Sequence, residues 1–107
     1  MPRCSVDARY TLGVDRIMWG TDYPHDEGTT PYTLQALQRT FCDVPVDECR
    51  QMLGGNAARV YGFDLEALAP IAARVGPRLA DVHTPLAAVP EGTTSAAFLT
   101  ATSPFFG

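Results

Sequence analysis

The chain has 107 residues, 46% of them apolar and 19% charged, with a net charge of −4 and a pI near 4.9. This is an ordinary globular balance for one small domain with a modest core, and it excludes a whole (β/α)8 barrel, which takes about 250 residues. The acidic balance argues against a nucleic-acid partner and against docking on anionic lipid, both of which call for a basic face.

The N-terminal run Met1 to Arg9 lacks the apolar segment of a secretory signal. No apolar stretch approaches the ~20 residues of a membrane span, so the cytoplasm is the expected location. Ser5 to Leu12 reads as a short helix, with Gly13 at the position just past its end, where a positive φ is often needed. Ile17-Met18-Trp19-Gly20 is apolar and continuous rather than alternating, the pattern of a strand covered on both faces. Helix, glycine turn and buried strand together give the rhythm of an α/β repeat.

Asp22 to Pro31 reads as a loop, with Tyr23-Pro24, Gly28 and Pro31 as its turn residues. Thr30 is expected to cap the next helix, with Pro31 at its first position and Leu34, Leu37 and Phe41 on its buried stripe. Val44-Pro45-Val46 breaks that helix, and Asp47 can cap a second one running to about Leu53. Gly54-Gly55 is expected to stop it and Asn56 to cap a third, Ala57 to Tyr61, closed by Gly62. Asp64 caps a fourth, with Leu65, Leu68, Ala72 and Val75 on one face, a kink or restart at Pro70 and a stop at Gly76-Pro77. Residues 1–78 thus form the structured portion. Residues 79–107 read as a mostly irregular tail of low charge, rich in Thr, Ala and Pro, which Phe98, Leu99, Phe105 and Phe106 can dock in places.

Asp22 is the first candidate for chemistry. A carboxylate at the mouth of a strand can bind a cation or take a proton from a metal-bound water; it can equally cap the turn through Tyr23-Pro24. His25 is the second, since imidazole suits metal binding and proton transfer, although a histidine in a polar loop is also well served by solvent alone. Asp26 and Glu27 read as a solvated face, Trp19 as core, and His83 has no assigned role. Cys4, Cys42 and Cys49 are an odd set without metal-site spacing and read as reduced thiols. Gly54-Gly55-Asn56 lacks the lysine and preceding strand of a phosphate loop.

Two blocks in order, Arg16-Ile-Met-Trp-Gly-Thr-Asp-Tyr-Pro-His25 and Gly55-Asn-Ala-Ala-Arg-Val-Tyr-Gly-Phe63, resemble the C-terminal end of the amidohydrolase 2 family, which includes the aminocarboxymuconate semialdehyde decarboxylase-like enzymes. The resemblance covers roughly Ser5 to Gly76. It implies an α/β fold, the C-terminal fragment of a (β/α)8 TIM-like barrel, with one divalent metal, most often zinc, at its mouth. It implies hydrolysis or non-oxidative decarboxylation of a small carboxylated or aromatic substrate. Asp22 then matches the family's last-strand aspartate, as metal ligand or as base to the bound water, and His25 matches a loop histidine. The family's His-x-His pair and mid-barrel histidine have no counterpart, since His25 and His83 are the only two histidines. The chain is therefore expected to be inactive alone, with a complementing barrel fragment or a second copy as its candidate partners. The alternative is a non-catalytic interaction module, or a truncated remnant that needs a partner to complete its fold.

Overall fold

In the computed structural model, which describes residues 1–98, the run Ile17 to Gly20 is extended but pairs with no other strand. Among the described residues there is no β-strand and no sheet; the ordered elements are helical, and the expected α/β barrel fragment with its buried strand is corrected accordingly. The physical reason is that a strand is defined by its neighbour. Ile17 has extended dihedrals (φ −103°, ψ 132°), yet the extended run finds a helical neighbour instead, the Trp19 N–H donating to the Met52 carbonyl at 2.9 Å. Nor is the run covered on both sides: Ile17 is buried and Trp19 half-buried, whereas Met18 and Gly20 are exposed.

Among the described residues there are seven α-helices: α1 Arg3–Asp7, α2 Arg9–Leu12, α3 Thr33–Phe41, α4 Val46–Arg50, α5 Asn56–Tyr61, α6 Leu65–Val75 and α7 Leu79–Val82. Single 3-10 turns occupy Val14–Arg16 and Ala96–Phe98. The expected first helix is broken at Ala8 into α1 and α2, and Gly13 comes next at φ 105°, a conformation that a side chain rarely adopts. The α3 stripe forms as read, with Leu37 and Phe41 buried and Leu34 packed beside them. The helix begins two residues later than Pro31, however, and no side chain caps it; Thr29 and Thr33 instead join hydroxyls at 2.9 Å.

Gly54-Gly55 does not stop α4. The chain turns on through a wider helical turn, Gln51–Gly55, and enters α5 with Gly55 and Asn56 both right-handed. Such widened turns insert a residue and re-aim the helix beyond them. Here they bring Asn56 and Ala58 inward, 3% and 6% exposed. Gly62 ends α5 in the left-handed region (φ 73°). Asp64 caps α6 as expected, Oδ1 accepting from the Glu66 and Ala67 N–H groups at 3.0 and 3.2 Å. α6 runs through Pro70 without a restart.

The core gathers Val6, Ile17, Leu37, Phe41, Val44, Cys49, Met52 and Val82. A second cluster sets Phe98 and Ala97 against Ala36. Leu99, Phe105 and Phe106, also expected to anchor the tail, lie outside the described residues. A nearly buried ion pair ties the N-terminal helices to α4: Arg9 Nε donates to Glu48 Oε1 at 2.9 Å, and the Tyr10 hydroxyl to Glu48 Oε2 at 2.8 Å. Among the described residues no helix is long and apolar enough to cross a membrane.

Candidate functional site

The loop after Trp19 is closed by its own backbone. The Thr29 N–H donates to the Thr21 carbonyl at 3.0 Å, so the two ends of the loop meet. Inside it, the His25 N–H donates to the Asp22 carbonyl at 2.8 Å and the Gly28 N–H to the His25 carbonyl at 2.9 Å. Gly28 is enclosed by these groups. A Cβ there would meet the His25, Thr21 and Asp22 carbonyl oxygens at 2.9, 3.0 and 3.1 Å.

Asp22 is the one non-glycine residue among the described residues with a positive φ, 58°. Aspartate tolerates this left-handed conformation better than most side chains. The turn is closed by its backbone carbonyl, while the Tyr23 N–H goes to Thr21 Oγ1 at 3.1 Å. Among the described residues the Asp22 carboxylate accepts no backbone bond. Its side chain is 72% exposed, with Oδ2 lying 3.4 Å from His25 Nδ1.

His25 has two arrangements to choose between. Nδ1 accepts the Glu27 N–H at 3.2 Å, which puts the proton of a neutral ring on Nε2. The contact with Asp22 is favourable only when Nδ1 carries a proton, and that proton displaces the Glu27 bond. In the neutral Nδ1–H tautomer, Asp22 orients the ring and the Nε2 lone pair is free. The pair can therefore hold or pass one proton at the surface of the loop.

The segment leading into this loop is held from the second sequence block. Asn56 Nδ2 donates to the Val14 carbonyl at 2.7 Å and to the Ile17 carbonyl at 2.8 Å. One turn on, Arg59 Nη2 donates to the Asp15 carbonyl at 2.6 Å. Sequence reasoning took Asn56 for a helix cap and gave Arg59 no role; the available signal was an amide and a guanidinium one turn apart beside small alanines. Together they fix the chain from Val14 to Ile17, and so set where Asp22 and His25 emerge.

The remaining candidates lie elsewhere. His83 Nε2 sits 3.5 Å from Cys49 Sγ, in the core. Burial, and secondarily the Glu48 charge, push the Cys49 thiol up to about 11, so it stays protonated and unreactive at neutral pH. Asp26 and Glu27 are exposed on the rim of a surface hollow of about 510 Å³, where the Thr94 hydroxyl donates to the Asp26 carbonyl. An apolar cleft of about 310 Å³ opens beneath Trp19, Leu37, Leu53 and Leu79. Neither Asp22 nor His25 lines either hollow.

A catalytic zinc takes three protein ligands and a water. Among the described residues no group of three or more His, Cys, Asp or Glu side chains is placed to hold a metal ion. Asp22 and His25 are two donors, so the residues present do not by themselves fit a complete centre.

A family model described as Amidohydrolase matches residues 4–63, more than half of the chain and both sequence blocks. Comparison with curated proteins and with solved structures gives no match.

Proposed function

This chain belongs to the amidohydrolase family, and on that footing we propose that it is the C-terminal segment of a metal-dependent enzyme of the aminocarboxymuconate semialdehyde decarboxylase-like kind. The reaction is hydrolysis or non-oxidative decarboxylation of a small carboxylated or aromatic compound. A divalent metal, zinc first among them, supplies such an enzyme with an activated water. Asp22 would contribute to that centre, as a ligand or as the base to its water, with His25 beside it.

The observation that carries this reading is the Asp22 carboxylate itself. It is exposed, accepts no backbone bond among the described residues, sits on a residue held at φ 58° in a closed loop and lies 3.4 Å from an imidazole. Two donors where a catalytic zinc takes three protein ligands is the reason to read the chain as one contributor to a site.

Complementation tests the proposal. The chain is co-purified with the N-terminal portion of an amidohydrolase that carries the His-x-His pair, and zinc-dependent turnover is followed on small aromatic carboxylates and amides. Turnover is expected from the mixture only, and Asp22→Asn is expected to abolish it. Turnover that survives Asp22→Asn would remove Asp22 from the chemistry.

A further inference from the structure

Every residue from Arg59 to Val75 is exposed. Within this stretch α6 carries Leu65, Leu68, Ile71 and Val75 at 57%, 43%, 47% and 77% exposure, and none of its residues is buried. An isolated helix of 11 residues is marginal in water, because its few hydrogen bonds barely offset the cost of nucleation. α6 also lies beyond the residues that the family model matches. We propose that α6 is a self-association helix, and that its apolar face is covered by α6 of a second copy of this chain, packed antiparallel about a two-fold axis.

The spacing suits such a pair. Leu65, Leu68, Ala72 and Val75 recur at intervals of three, four and three, the a/d seam of a coiled coil. Antiparallel packing centred on residue 70 sets Leu65 opposite Val75 of the second copy, and Leu68 opposite its Ala72. Each large side chain in the central layers thus meets a small one, which lets the helices approach. Ala72 stands at the rim of the apolar cleft beneath Trp19 and Leu53, so the incoming Leu68 has apolar surface on both sides. Glu66, Pro70 and Arg74, spaced by four, fall on the opposite side of the helix, and the proline does not interrupt the seam.

Charge selects the antiparallel orientation. Glu66 and Arg74 lie on the far side and take no part, but Asp64 stands just before the N-terminal end of the helix and Arg78 shortly after its C-terminal end. Antiparallel packing lays each acidic end beside a basic one, whereas parallel packing would set like charges together. Residues 64–78 hold two acids and two bases, so the net charge of −4 is not concentrated on this surface. The interface is isologous, with the same patch used by both copies.

Sedimentation equilibrium of the full chain over a wide concentration range is the test, with Leu68→Glu, Val75→Glu and a control, Val89→Glu, whose site is also exposed but off the helix. The mass is expected to rise from 11.5 kDa toward twice that value with concentration. Leu68→Glu and Val75→Glu are each expected to weaken association by about tenfold or more, and Val89→Glu to leave it unchanged. Trp19 fluorescence reports that each variant keeps its core. A chain that stays monomeric throughout overturns the proposal, as it would if α6 were covered only by further sequence of a longer protein. Growth beyond a dimer, a dimer indifferent to both α6 variants, or one lost equally in Val89→Glu overturns it as well.

Discussion

Replacing Asn56 tests the link between the two sequence blocks. Its Nδ2 makes two short bonds, to the Val14 and Ile17 carbonyls, and the residue is 3% exposed. Asn56→Ala leaves both carbonyls without a donor. At about 1–3 kcal/mol for each buried group left unpaired, with some relief from water at the less buried Val14, the loss is about 2–4 kcal/mol. A domain of this size holds about 5–15 kcal/mol in all. At about 4–8 °C per kcal/mol, the midpoint should fall by roughly 10–25 °C. Asn56→Asp keeps the shape but turns a carboxylate toward two carbonyl oxygens, so it should cost more than Asn56→Ala at neutral pH. That excess should shrink in acid: burial beside two acceptors raises the introduced group's pKa, and the protonated form can donate to one of them. The assay is thermal and urea unfolding followed by the single tryptophan, Trp19, whose backbone lies just past the clasp. A loss below about 0.5 kcal/mol, the range of ordinary surface changes, would mean that the Asn56 amide does not hold the two segments together.

Three further outcomes are expected. Gly28→Ala should destabilise the loop by about 1–3 kcal/mol, because the new Cβ meets three backbone carbonyls that cannot move independently; limited proteolysis should cut between Asp22 and Thr29 faster than in the parent. In acid, Glu48 is held below its ordinary 4.5 by the Tyr10 hydroxyl and then by Arg9, and Asp43 below its ordinary 3.8 chiefly by the Arg3 guanidinium. Depressed carboxylates stabilise above their unfolded values, so the melting temperature should hold above about pH 4.5 and fall below it, and Glu48→Gln should flatten that fall. In alkali the sign reverses for Cys49, raised from 9.0 to about 11. Its contribution is whole below pH 9 and is lost as pH rises toward 11, so Cys49→Ala should flatten the alkaline limb of the same profile.

Local features of this chain were readable where the physics is local. The Asp64 cap, the positive φ at Gly13 and Gly62 and the Leu37/Phe41 stripe depend on residues within a turn of one another, and all are present. The strand at Ile17 to Gly20 failed because a strand needs a partner, which an apolar run cannot supply; the backbone found Met52 instead. Gly54-Gly55 reads as a stop, yet the helix continues, because Asn56 and Ala58 gain burial by continuing. At the candidate site, Asp22 and His25 were legible as neighbours on one loop, and the structure sets them 3.4 Å apart. The clasp was not legible. Asn56 bonds residues 39 and 42 positions away, and nothing near it in sequence announces its targets.

The claim that Asp22 is one donor of a metal centre this chain cannot complete is most directly tested by titrating zinc into the purified protein against a chromophoric chelator. Weak binding is expected, easily stripped by the chelator and further weakened by Asp22→Asn. Tight one-to-one binding that resists the chelator would contradict it, since the chain would then hold a complete centre of its own.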